Sequence, residues 1–270
     1  MCGTCGCDDQ PELVAEQRSR DTVPVEQAVL AKNDRLADDN RAWLAARGVR
    51  AVNLMSAPGA GKTTLLETTV RALAAEVFVG VVEGDQAGSL DADRLRAVGC
   101  RTVQVNTGSG CHLDAEMLAR ALRELDPPRD SLVVVENVGN LVCPALFDLG
   151  EQHRVVLAAT TEGEDKPLKY PHMFRAADLV VLTKADLVPY LTFDVDHFAR
   201  HLARVNPAAR LLVTSSVSGE GLDHWFGWLR SPGSPDSPGS PGSPDSPGSS
   251  GSVGESGPDV DARAVPSVSS

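Results

Sequence analysis

Between Ser56 and Thr64 the chain reads Ser-Ala-Pro-Gly-Ala-Gly-Lys-Thr-Thr, a set of residue types suited to gripping a phosphate. Gly59 and Gly61 carry no Cβ, so successive backbone N–H groups can turn toward one anion. Pro58 and Ala60 complete the short loop. Lys62 brings a point charge to the β- and γ-phosphates, Thr63 offers a hydroxyl to Mg²⁺, and Thr64 continues into the helix that follows. The pattern is G-x-x-x-x-G-K-[ST], with Ser56 at the first glycine, a turn position that a small residue fits. The spacing points to a bound nucleoside triphosphate.

Acidic groups close the neighbouring apolar runs. Val-Val-Glu-Gly-Asp-Gln (81–86) carries Glu83 and Asp85, and Leu-Val-Val-Val-Glu (132–136) carries Glu136, with Gly139 three residues on. Carboxylates there can hold Mg²⁺ directly or through water, and a glycine N–H can approach a γ-phosphate. Lys62, Asp85 and Glu136 are the expected catalytic set. Asp91 and Asp93 are further acidic candidates, Asp91 also reading as a helix N-cap. Thr-Lys-Ala-Asp (183–186) keeps two residues of the N-K-x-D pattern by which GTPases read guanine. Asp186 would accept the N1 and N2 hydrogens while the Lys184 stem covers the ring; adenine would leave that carboxylate unpaired. Ser215 lies where a backbone loop would meet the guanine oxygen. No arginine or glutamine stands out as an aid to hydrolysis, so turnover should be slow.

Thiols and imidazole form two further groups. Cys2, Cys5 and Cys7 make a C-x-x-C-G-C cluster in which Gly3 and Gly6 let the backbone fold around one ion. With the terminal amine freed by loss of Met1, a square-planar S/N set favours Ni²⁺ and a tetrahedral one Zn²⁺; a redox dithiol or an inert tail is the alternative. Cys111-His112 and Cys143-Pro144 each follow a predicted strand, so their side chains either converge on a second ion or serve packing. Cys100 reads as a packed thiol, and His153, His172, His197, His201 and His224 as surface or packing residues.

These residues need a scaffold. Apolar runs at 52–55, 77–82, 102–105, 132–135, 155–159, 179–182 and 211–213 read as buried strands. Helical patterns fall at 63–75, 91–98, 114–125, 194–205 and 221–229. The alternation predicts an α/β fold, a mostly parallel sheet with helices on both faces and ligands at the carboxyl ends of the strands. Three regions follow: a cysteine-bearing metal segment and linker over 1–24, a nucleotide-binding domain with a leading helix over 25–230, and a Ser/Pro/Gly-rich tail over 231–270, expected to be disordered. The net charge of −12 argues against nucleic acid as a partner. No apolar run approaches the roughly 20 residues that span a bilayer, and no secretory signal is visible, so a cytoplasmic protein is expected.

Taken together, the N-terminal cysteines, the loop at 53–66, Val-Glu-Gly-Asp-Gln (82–86), Gly-Cys-His-Leu-Asp-Ala (110–115), Glu-Asn-Val-Gly-Asn-Leu-Val-Cys-Pro (136–144), Thr-Lys-Ala-Asp-Leu-Val-Pro-Tyr (183–190) and Ser-Gly-Glu-Gly-Leu-Asp (218–223) resemble the hydrogenase nickel-incorporation GTPases, the HypB family. The match covers residues 1–8 and about 25–229. The resemblance implies a P-loop GTPase metallochaperone delivering Ni²⁺ to the large-subunit precursor of a [NiFe] hydrogenase. It further implies GTP and Mg²⁺ as cofactors, a homodimer formed on GTP binding, and a HypA-like nickel chaperone as partner. Cys2, Cys5 and Cys7 match the family's tight nickel site; Cys111, His112 and Cys143 match its G-domain site for Ni²⁺ or Zn²⁺. Thr183 departs from the usual asparagine, and no His-rich storage stretch is present. A urease-type nickel GTPase and a small-molecule P-loop kinase are the alternative readings.

Overall fold

The computed structural model describes residues 22–85, 90–108 and 110–231. Cys2, Cys5 and Cys7 lie outside the described residues, as does the tail from 232 onward. Seven strands are seen among the described residues: β1 (Arg50–Ser56), β2 (Val79–Asp85), β3 (Arg101–Asn106), β4 (Leu132–Glu136), β5 (His153–Ala159), β6 (Leu179–Thr183) and β7 (Arg210–Val213). The helices are α1 (Thr22–Arg47), α2 (Lys62–Leu73), α3 (Leu90–Ala97), α4 (Ala115–Leu125), α5 (Lys166–Lys169), α6 (Pro171–Arg175), α7 (Val195–Val205) and α8 (Leu222–Arg230). No helix among them is long and apolar enough to cross a membrane.

Every strand pair is parallel, in the order β3-β2-β4-β1-β5-β6-β7. A parallel strand buried on both faces needs an unbroken apolar run, as β4, β5 and β6 show, whereas the edge strand β3 alternates Val103 and Val105 with Thr102, Gln104 and Asn106. Successive residues then feed opposite layers. Val52, Leu54, Val134 and Val181 pack with Leu65 and Leu66 of α2 and with Trp225 and Leu229 of α8. Ala51, Val82, Val133 and Val135 meet Leu44 of α1 and Leu118 of α4 on the other face. Farther along that face, Val156, Val180 and Leu182 meet Phe174 of α6 and Phe198 of α7. The indole of buried Trp225 donates to Thr69 Oγ1 at 2.9 Å, so its burial strands no donor.

Chain direction decides what gathers where. β1 has β4 on one side and β5 on the other, so its carboxyl end is the switch point of the sheet. The β4–β2 pairing sets Glu136 directly beside Glu83. β2 runs past the expected Val82 to Asp85, and it can do so because position 84 is glycine: a Cβ there would lie 2.7 Å from Leu113 Cγ. Val77 instead belongs to the turn after α2, its N–H donating to the Leu73 carbonyl. Asp91 is not an N-cap; it sits in the first turn of α3, bonded to Arg94.

Candidate functional site

The loop after β1 enters α2 through Gly59 at φ 74° and Gly61 at φ 95°, left-handed conformations that strain any residue with a Cβ. Lys62 and Thr63 follow in the first turn of α2, both buried. The Lys62 ammonium donates to Ser56 Oγ at 2.9 Å, so the serine at the first-glycine position holds the loop's own cation. Burial pushes the Lys62 ammonium below its usual value, with Glu136 opposing the shift.

Thr63 Oγ1 donates to Glu136 Oε1 at 3.1 Å. Glu136 and Glu83 are only 4% and 3% exposed, and each keeps one carboxylate oxygen with no hydrogen-bond partner among the described residues. Burial raises Glu83 to about 7, helped by the charge of Glu136. Burial also raises Glu136 to about 7, against the pull of Lys62 and Thr63. Two buried oxygens lacking donors, beside a threonine hydroxyl, are what a hard divalent cation requires, so the residues fit Mg²⁺.

These groups head a cleft of ≈ 540 Å³. Pro58, Gly59, Gly61 and Thr64 of the loop line it, together with Asp85 and Gly139. Gly139 lets the two loops meet closely: a Cβ would stand 3.1 Å from Pro58 Cγ and 3.2 Å from its backbone, so one loop would have to give by a few tenths of an ångström. Arg94 of α3, which the motifs did not mark, also lines the cleft. Its guanidinium is tied to Glu67 at 2.8 Å and Thr64 Oγ1 at 3.3 Å.

The expected base-reading residues sit beside the cleft, and of them Lys184 alone lines it. Lys184 is itself left-handed, φ 61°, and its ammonium donates to the Gly59 carbonyl at 2.8 Å. Asp186 accepts a hydrogen bond from Ser215 Oγ, which also receives the N–H groups of Val217 and Ser218. Ala60 is buried, and its carbonyl accepts from Thr183 Oγ1 at 2.7 Å. The departure from asparagine at 183 therefore still ties the strand end to the phosphate loop.

A second cluster lies on the same rim. Single ligand atoms of Cys111, His112 and Cys143 all fall within 4.8 Å of one another, the one group of its kind among the described residues. The His112 ring stacks on Phe147 with centroids 3.9 Å apart. Burial holds His112 below its usual value, which favours the neutral, ligating form. The neighbouring Cys143 thiol and then burial push Cys111 up, so an ion entering here must displace protons. Asn140 Nδ2 donates to the Cys111 carbonyl at 3.2 Å, joining the 137–142 loop to this cluster. Cys100 is buried between β2 and β3, as its packing role implies, with Sγ 3.6 Å from the Val79 carbonyl.

Comparison with known proteins agrees with this architecture. The family model described as the CobW/HypB/UreG nucleotide-binding domain matches residues 50–213. The hydrogenase maturation factor HypB of Escherichia coli (strain K12) is 53% identical over 212 residues, covering 78% of this chain and 73% of that protein. The crystal structure of HypB from Archaeoglobus fulgidus superposes with TM-score 0.70 at 41% identity, over 74% of this chain and 98% of that one. HypB from Helicobacter pylori in complex with nickel gives TM-score 0.69 at 38% identity, over 74% of this chain and 94% of that one.

Proposed function

This chain belongs to the HypB family of P-loop GTPases, and from that premise we propose that it couples GTP hydrolysis to nickel loading and release during maturation of a [NiFe] hydrogenase. One loop carries the reading. Glu136, beside Thr63, begins it, and Cys143, beside Cys111, lies at its far end. Between them Gly139 rests on Pro58 and Asn140 holds the Cys111 carbonyl. A change at the γ-phosphate would thus reach the thiols through a short, packed segment.

In this reading Lys62 and the loop amides hold the phosphates, while Lys184, Asp186 and Ser215 read guanine. Thr63, Asp85 and Glu136 would hold Mg²⁺, which supplies charge neutralisation to the β- and γ-oxygens. Cys111, His112 and Cys143 take Ni²⁺ as cargo and would also accept Zn²⁺, two thiols and an imidazole being suited to both. Cys2, Cys5 and Cys7 would hold nickel more tightly and pass it on. A GTP-linked homodimer, a HypA-like chaperone and the hydrogenase large-subunit precursor are the partners, and the cytoplasm the place of action. The nickel-bound relative supports the choice of metal.

Nickel affinity and self-association should both differ between GDP and a non-hydrolysable GTP analogue, measured by equilibrium titration and sedimentation. Equal values in the two states would overturn the coupling. Lys62→Ala should lower GTP turnover by about 100-fold or more, and undiminished turnover would remove the phosphate loop from the mechanism.

A further inference from the structure

On the rim beside the base-reading residues, a separate cleft of ≈ 510 Å³ is lined by Thr160, Glu164, Asp165, Thr192, His197 and His201. The two histidines were expected to be unrelated surface or packing residues, but they stand four apart on α7 and present their rings to this one cleft. Their centroids are 4.7 Å apart with planes inclined by 30°.

A single residue orients both rings. His197 Nδ1 lies 2.9 Å from Glu164 Oε2, and His201 Nδ1 lies 2.9 Å from the Glu164 carbonyl oxygen. A carbonyl can only accept, so His201 must carry its proton on Nδ1, and a carboxylate imposes the same tautomer on a neutral His197. Each imidazole then holds its lone pair on Nε2. Glu164 is itself fixed, its other oxygen accepting the Asp194 N–H at 2.6 Å at the start of α7. A histidine whose Nδ1–H is anchored on a carboxylate or carbonyl is the usual arrangement behind a metal-ligating Nε2.

We propose that His197 and His201, held by Glu164, form a further site for a borderline divalent transition ion. The cleft leaves room for water to complete the ion's coordination, and imidazole selects Ni²⁺, Zn²⁺ or Cu²⁺ over Mg²⁺ or Ca²⁺. It is distinct from the cysteine cluster, and it stands whether or not the chain turns over GTP. Its floor touches the nucleotide side: Thr160 Oγ1 donates to the Lys184 carbonyl at 2.9 Å.

The test uses the full-length chain and Ni²⁺ alone. Thiolate-bound nickel absorbs strongly through sulfur-to-metal charge transfer, whereas nickel on two imidazoles does not. Equilibrium dialysis should therefore find one equivalent that adds nothing to that absorption. The double variant His197→Gln/His201→Gln should lose this equivalent and keep the charge-transfer band unchanged. Glu164→Gln, which leaves both rings in place, should weaken it roughly tenfold. In the unaltered protein, paramagnetic Ni²⁺ should broaden the His197 and His201 ring signals before those of His153, His172 and His224. Unchanged stoichiometry in the double variant, or broadening that spares these two rings, would overturn the assignment.

Discussion

Glu83 and Glu136 face one another on adjacent strands, each raised to about 7 from an ordinary 4.5. Between those values the unfolded chain has released protons that the folded protein still holds. Stability without nucleotide should therefore fall as pH rises through that window. Glu83→Gln removes one of the two carboxyls and should stabilise the ligand-free protein at pH 8 by about 1–3 kcal/mol, with little effect near pH 4.5. Urea unfolding at the two pH values measures this directly. Residue types alone marked Lys62, Thr63, Asp85 and Glu136 as candidates for phosphate and Mg²⁺ chemistry, which admits few substitutes, and the fold gathers all four at one cleft. Glu83 stood out only as acidic; its pairing with Glu136 depends on strand order, which no local pattern contains. Arg94 escaped notice for the same reason, and His197 and His201 because the residue that joins them, Glu164, is more than thirty positions away.

At the level of elements, the strands were legible as apolar runs and most helices as amphipathic stretches. Their limits were set by contacts the sequence does not display, such as Leu113 over Gly84. The short helices α5 and α6, each begun near a proline, are too brief for periodicity to register. The proposed nucleotide response rests on the 137–142 loop, where Gly139 meets Pro58. Gly139→Ala would set a methyl 3.1–3.2 Å from three Pro58 atoms, and one or the other loop must give. Binding of a GTP analogue should weaken about tenfold, in line with the cost of overpacking, while GDP binding changes by less than about twofold. Calorimetric titration of both nucleotides separates the outcomes; equal weakening of the two would mean that the contact serves the loop's fold and not the γ-phosphate.

For the molecule as a whole, parallel strands put the loops that follow their carboxyl ends on one rim, so cleft and cysteine cluster follow from the same chain direction. The convergence of Cys111, His112 and Cys143 could be suspected from loops that follow strands, but it needed the strand order to be decided. At the opposite rim, Arg50 of β1 donates through Nη1 to the carbonyls of Leu229 and Arg230, fastening the end of α8 beneath the start of the first strand. A chain ending at Ser231 should thus hydrolyse GTP within about twofold of full length, as a phosphate-release assay would show. The same fastening has a practical side. An anchor grafted just beyond α8 would leave from the quiet underside and hold the nucleotide and thiol face outward, so immobilised protein could exchange ions and nucleotides with flowing solution unhindered.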